Sequence, residues 1–414
     1  MPVSNLCRSK SQRSLNHHYS SGIVKLTFNA MILFGLSVAL FHDLPAQGQT
    51  EAGSTFQVVP TPSENSNSEL FAAAASSPND IWAVGQSTIH FDGTTWTSFP
   101  APMIKGDNNS FLQGVIAISP TLAWAAGNVT DGSHPGQVIE QWNGTKWSLF
   151  PGPRFGKKEQ ADVFAMTSSS ADDVWAIGSL VNFGTGVVSP LFEHWNGTVW
   201  TATTIESNNE FLFGASADAP NDAWAVGFNG SDHITTSAMR WDGTNWKRVA
   251  TPNVGSGTNK LNAVLALAPN DVWAVGFFTP VAPPKQSATQ TLIEHFDGTS
   301  WAVVPSPNVG PTSANQSNRL LGLTANSAND IWAFGSYFMA DGSGHQMSLL
   351  LHWDGTSWTI ASSPSPTKGE FPSDVLWAGV VPSPDNVWIL GSSQDGTLAI
   401  HMTTRSDSAL VSSF

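Results

Sequence analysis

The chain is poor in the residues that usually announce a mechanism. Of 414 residues, one is cysteine, two are tyrosine and 12% are charged, against ~25% charged in an average soluble domain. A single cysteine, Cys7, forms no internal disulfide, and beyond it the chain has no thiolate for a metal or a nucleophile. Charge of one sign is scarce as well. Lys and Arg number 17 against 31 Asp and Glu, a net charge of −14. Binding to nucleic acid needs clustered cations that displace counterions from phosphate, and adsorption to anionic lipid needs the same, so both are excluded as general partners. Uninterrupted helical stretches are missing too, because 36 glycines and 26 prolines break the chain at short intervals.

What is present is apolar and aromatic. Hydrophobic residues make up 41% and tryptophans number 18, which excludes a disordered chain. The composition describes a turn-rich, all-β globule. One long apolar run stands apart, residues 26–41, after Arg8, Lys10, Arg13 and Lys25 and before Leu44-Pro45-Ala46. A basic flank, an apolar run and a small-residue site read as an export signal over 1–46. An uncleaved anchor is the second reading, although sixteen residues fall short of the ~20 that span a bilayer. Residues 47–53 then form a short linker and 407–414 a tail. The expected location is secreted or cell-surface, with membrane contact only through the N-terminal segment if it is retained.

Beyond the leader the chain repeats itself. Asn79-Asp80-Ile81-Trp82-Ala83-Val84-Gly85 has counterparts around Trp124, Trp175, Trp224, Trp273, Trp332 and Trp388. The spacings are 42, 51, 49, 49, 59 and 56 residues. A second motif, such as His295-Phe296-Asp297-Gly298-Thr299-Ser300-Trp301, follows each of the first six copies, with its final Trp at 96, 147, 200, 246, 301 and 358. Seventeen of the 18 tryptophans belong to these two motifs. Each unit parses into four short strands: in the fifth, 261–268, 272–276, 292–296 and 301–304. Four strands per ~50 residues is the signature of a propeller blade. The first strand carries Ala72, Gly114, Ala165, Gly214, Ala263, Gly322 and Ala378 at one register, small residues suited to a crowded, tapering centre. The seventh unit lacks a fourth strand. Phe56-Gln57-Val58-Val59-Pro60-Thr61-Pro62 matches Trp301-Ala302-Val303-Val304-Pro305-Ser306-Pro307 and is expected to supply it. The expected fold is a seven-bladed β-propeller over 54–406, closed by its N-terminal strand.

Apolar strands ending in Gly, an aromatic before a turn, and a Trp after it resemble the kelch-type propellers, with one Gly where that family has two. Similar arrays occur in exported bacterial propeller-repeat proteins. The galactose-oxidase chemistry of that resemblance requires a Cys-crosslinked Tyr and a second Tyr, which a mature chain holding only Tyr337 cannot provide. A sialidase-like arginine triad is not expected, because Arg240 and Arg248 lie in or beside repeat slots. No nucleophile elbow, phosphate loop, zinc signature or calcium loop is present, so no cofactor or metal is expected.

The repeated Asp80, Asp173, Asp222, Asp271 and Asp330 read as turn-capping residues. His90, His194, His295, His352 and His401, one per blade, read as packed or rim histidines. Variation concentrates elsewhere, in 103–110, 154–160, 278–290, 308–318 and 337–346, segments that the strand order sends to one face. Variable loops on a fixed scaffold are the layout of a binding surface. At the start of the first strands on that face stand Glu69, Phe111, Asp162, Phe211, Lys260, Arg319 and Val375. Glu69, Asp162, Lys260 and Arg319 are the candidate ligand-binding residues of a polar central mouth, with a solvated, mutually paired rim as the alternative. Phe183, Phe278 and Tyr337 are candidate exposed aromatic anchors. The expected function is that of an exported, monomeric, non-catalytic propeller binding a protein or glycan. The alternative is a carbohydrate-active hydrolase or lyase using Glu69 and Asp162 at the channel mouth.

Overall fold

The computed structural model describes residues 54–63, 68–99, 111–129, 136–207, 209–230, 233–281, 288–310, 316–339, 344–366 and 373–404. The leader, anchor and linker readings (1–53), the tail (407–414) and the variable segment 103–110 lie outside them. So do parts of 278–290, 308–318 and 337–346.

Seven four-stranded antiparallel sheets are arranged as the blades of a ring. Blade 1 spans residues 70–98, blade 2 111–149, blade 3 159–204, blade 4 210–249, blade 5 259–303 and blade 6 318–360. Blade 7 consists of Val375–Ser383, Asn386–Ser393 and Gly396–Thr404, with Ser54–Val59 as its outer strand. The pairing runs Ser54 to Thr404 through Val59 to Ala399. The ring is therefore closed by its own beginning, which covers the edge of Gly396–Thr404 and gives the seventh blade the same four strands as the others.

Blades adhere through a cyclic belt of aromatic contacts. The Trp of each second strand reaches into the next blade. Trp82 meets Trp142 and Trp147 at 4.8 and 5.0 Å, and Trp124 meets Trp195 and Trp200 at 5.1 and 5.4 Å. Trp224 meets Phe296 and Trp301 at 4.8 and 5.2 Å, and Trp388 returns to Phe91 and Trp96 of blade 1 at 4.8 and 5.4 Å. At the closing blade, Phe56 takes the place of the missing Trp and lies 5.1 Å from Trp332. Edge-to-face and tilted pairs at these separations add to the area they bury.

The repeated Asp and His residues correct one expectation. The second-strand aspartates do not cap turns. Their carboxylates bind the third-strand histidine, Nε2 to Oδ1, at 2.7 Å for His90–Asp80, 2.6 Å for His194–Asp173 and 2.8 Å for both His295–Asp271 and His352–Asp330. Each of these histidines lies on the Trp it pairs with, for example His194 on Trp175 at 4.2 Å. In blade 4, Arg240 replaces His, pairs with Asp222 and lies over Trp224 at 5.2 Å. Blade 7 uses His401 and Asn386. Burial opposes ionisation of Asp80, but bonds from His90 and Ser76 outweigh it and hold the carboxyl below its usual range. Turn capping falls to the second motif instead: Asp297 Oδ1 accepts the backbone N–H of Thr299 and Ser300 at 2.8 and 2.9 Å, an Asx turn.

Three third strands carry a carboxyl where the others carry Ile, Met or Leu. Glu140, Glu193 and Glu294 are paired in register with Ala125, Ala176 and Ala274 and are buried between blades. Burial pushes each carboxyl up to about 8, so each is neutral in the folded ring at neutral pH.

Two outcomes follow for stability. Deleting residues 54–62 removes Phe56 and the closing strand, and is expected to lower the melting temperature by more than about 10 °C; a deletion variant that melts with the full chain would show that the ring closes otherwise. The buried glutamates have raised folded values. Their contribution is therefore complete below the ordinary value of 4.5 and is lost as pH rises through about 8. The melting temperature is expected to fall as pH rises from 4.5 to about 8, and to fall less in Glu294→Gln. An equal slope in both proteins rules out this origin for the decline.

Candidate functional site

The site is built by a defect repeated in every blade. The innermost strand and its partner lose register at two points, one beside the turn that joins them and one nearer the start of the first strand: the latter lies between Leu70 and Ala72, Leu112 and Gly114, Val163 and Ala165, Leu212 and Gly214, Leu261 and Ala263, Leu320 and Gly322, and Leu376 and Ala378. The skipped residue is a β-bulge, which bends the strand and re-aims a side chain. The glycine ending each second-strand motif faces this defect. A Cβ on Gly276 would overlap the carbonyl oxygen of Lys260, and one on Gly335 that of Arg319. The same overlap recurs at the other five motif glycines. The motif glycine is thus required by the close approach of two backbones.

The skipped residues are Phe71, Gln113, Phe164, Phe213, Asn262, Leu321 and Trp377, and all seven line an axial cavity of about 190 Å³. Beside them the expected small residues, Ala72 to Ala378, also line it. A side chain on Gly114 or Gly214 would meet the backbone of the neighbouring blade, so the small column relieves crowding as read from the sequence. The expectation of a centre without large side chains is corrected, because the bulge turns one large residue per blade toward the axis. Phe164 and Phe213 lie 5.0 Å apart, and Phe71 and Trp377 5.6 Å apart. Trp377 is the one tryptophan outside both repeat motifs. That anomaly, together with the run of large residues two positions after the charged register, was the available sequence signal for this collar.

The charged register lies one tier above, at the loop-side end of the first strands. Asp162 pairs in register with Ser179, Lys260 with Phe277 and Arg319 with Ser336, while Glu69 directly precedes the pairing of Leu70 with Gly85. The four therefore share one level of the ring. Lys260 and Arg319 occupy neighbouring blades 5 and 6, whereas Glu69 and Asp162 belong to blades 1 and 3, with blade 2 between them. Mutual pairing of all four is not what the structure shows. Asp162 takes a hydrogen bond from Gln160 Nε2 at 2.8 Å, and no ion pair among the described residues includes Asp162, Lys260 or Arg319. Burial pushes the Asp162 carboxyl up.

The two cations rest on aromatic rings of the preceding blade. Lys260 Nζ lies 4.1 Å from the Phe228 centroid, and the Arg319 guanidinium 5.1 Å from that of Phe277. Burial lowers both from their usual values, and the charge of Arg319 lowers Lys260 further. Arg319 Nε is buried without an acceptor. Cation–π contact holds the charge but satisfies no N–H.

The aromatic anchors fare differently. Phe183 is 54% exposed, in the turn after the second strand of blade 3. Phe278 and Tyr337 are half-buried: both lie within second strands and pack partly against interblade clusters, because those strands run further toward the loop face than expected. Arg240 and Arg248 are committed to Asp222 and Glu210, so they are held apart from any arginine cluster. Among the described residues no group of three His, Cys, Asp or Glu converges as a metal site.

Fold and mouth together define a seven-bladed β-propeller with a half-buried, aromatic and charged axial opening. No family model matches the sequence, and no curated protein is similar to it. Solved structures with the same fold include one described as YCF48 bound to D1 peptide, at 13% identity and TM-score 0.53, covering 86% of this chain and 97% of that one. YCF48 from Cyanidioschyzon merolae is 17% identical at TM-score 0.50, with 84% and 98% covered. U3-55K is 9% identical at TM-score 0.52, also with 84% and 98% covered. At such identities the likeness establishes the fold alone.

The bulge geometry is open to test. Gly276→Ala is expected to displace the Lys260 carbonyl and to destabilise the ring by about 1–3 kcal/mol, read as a lower denaturant midpoint. An unchanged midpoint means that the two backbones do not meet as described.

Proposed function

We propose that this protein is an exported, monomeric, non-catalytic propeller of kelch type that captures a protein or glycan partner at its loop-side mouth. The observation that carries this reading is the pair Lys260 and Arg319, half-buried on aromatic rings and without a counter-ion among the described residues. Groups of that kind favour an incoming ligand, because desolvation has already weakened their hold on water. The aromatic collar beneath them adds apolar surface of the kind that anchors binding. One protein of the same fold has been solved with a bound peptide, which is in keeping with this use of a propeller. The export reading rests on residues 1–46, with retention at the membrane as its variant, and residues 47–53 as the tether.

The alternative, a carbohydrate-active hydrolase or lyase, draws support from the raised Asp162 carboxyl, a property of a general acid. Its partner Glu69 sits two blades away, and Asp162 already accepts a bond from Gln160. The two readings separate in one experiment. The full chain is screened on glycan and peptide arrays and, in parallel, for release of reducing ends from a polysaccharide panel. A binder is expected to score on an array, show no turnover, and keep its hits in Glu69→Gln with Asp162→Asn. Turnover by the parent that the double variant loses by about a hundredfold or more replaces the binding reading with the enzymatic one.

A further inference from the structure

Two cations side by side in a half-buried opening oppose each other, and here the repulsion is not relieved by any described carboxylate. Arg319 disfavours the charge on Lys260, burial disfavours both, and Arg319 Nε faces no acceptor. The rings beneath them, Phe228 and Phe277, hold the two head groups in place. An anion between them would relieve all three penalties at once. A carboxylate fits the donors, since a guanidinium offers paired N–H groups in a fork and an ammonium a compact charge beside it.

The surroundings select what carries that carboxylate. The collar below carries the aromatic and aliphatic side chains of Phe71, Phe164, Phe213, Leu321 and Trp377 around the axis, set among backbone groups and two amides. Its two polar members each commit one end of the amide: Gln113 Oε1 accepts from Asn128 Nδ2 at 2.7 Å, and Asn262 Nδ2 donates to the Leu320 carbonyl at 2.7 Å. The cavity of about 190 Å³ is smaller than the ~300 Å³ at which drug-sized pockets begin and suits one apolar side chain. Resting on the mouth as the binding surface, we infer that the ligand is a peptide segment presenting a carboxylate beside an apolar side chain, the carboxylate bound by Lys260 and Arg319 and the side chain by the axial collar.

The test titrates the full chain by NMR with acetyl-Phe-Asp-amide, acetyl-Gly-Phe with its terminal carboxylate free, acetyl-Phe-Asn-amide, and a galacturonate trisaccharide. The acidic peptides are expected to bind about tenfold or more tightly than the Asn peptide, the scale of one charge-assisted contact. The tighter acidic probe shows whether a side chain or a chain end supplies the carboxylate. Lys260→Met with Arg319→Met is expected to erase the preference, and Lys146→Met, the same change on an exposed turn, to leave it. If the double variant fails to fold, Lys260→Gln alone should reduce the preference. Equal binding of Asp and Asn peptides, a preference that survives these variants, or binding of the trisaccharide alone overturns the inference. Array hits that persist in that event leave the mouth reading standing, whereas an array without hits removes both.

Discussion

Everything at the centre of this ring depends on the approach of two backbones at one point per blade. Where the second strand ends its motif, a carbonyl of the first strand occupies the space in which a β-carbon would stand. Only glycine allows it. The approach fixes the bulge, and the bulge separates two tiers of side chains, one at the mouth that includes four charged residues and one on the axis that is largely aromatic. Seven repetitions turn a local irregularity into a collar.

Around that centre, most of the conspicuous chemistry is structural. The tryptophans form interblade contacts, and the Asp–His pairs clamp the rings from outside within single blades. A search for catalytic carboxylates or metal-binding histidines would have been drawn to these residues first. Their even distribution around the ring prevents convergence, which is what a metal or a reacting bond requires.

Departures from the repeat are more informative than the repeat itself. Glutamates replace aliphatic residues in three third strands, so the interfaces they enter hold neutral acids at neutral pH. Blade 2 has Leu122 and Gln141 where blades 1, 3, 5 and 6 have the Asp–His clamp. At the mouth, the seven equivalent positions hold two acids, two cations, two phenylalanines and a valine. The cations share neighbouring blades, so the opening is polarised across its diameter rather than uniformly charged.

The sequence alone determined the blade count, the strand order, the closing strand and the register of the mouth residues. These follow from periodicity, because each blade must present the same apolar faces and the same turns to its neighbours. It also marked the small column, since crowding acts on side-chain size directly. The tertiary structure decided which repeated residues meet. Asp80 and His90 are ten positions apart in the chain, and nothing in either motif states that the carboxylate turns to the imidazole rather than to its own backbone. It likewise decided that Phe278 and Tyr337 are half-buried, because strand length at the loop face depends on pairing across the sheet. The collar and the juxtaposition of Lys260 with Arg319 belong to the structure for the same reason: side chains 59 residues apart become neighbours only when separate blades are set edge to edge around an axis.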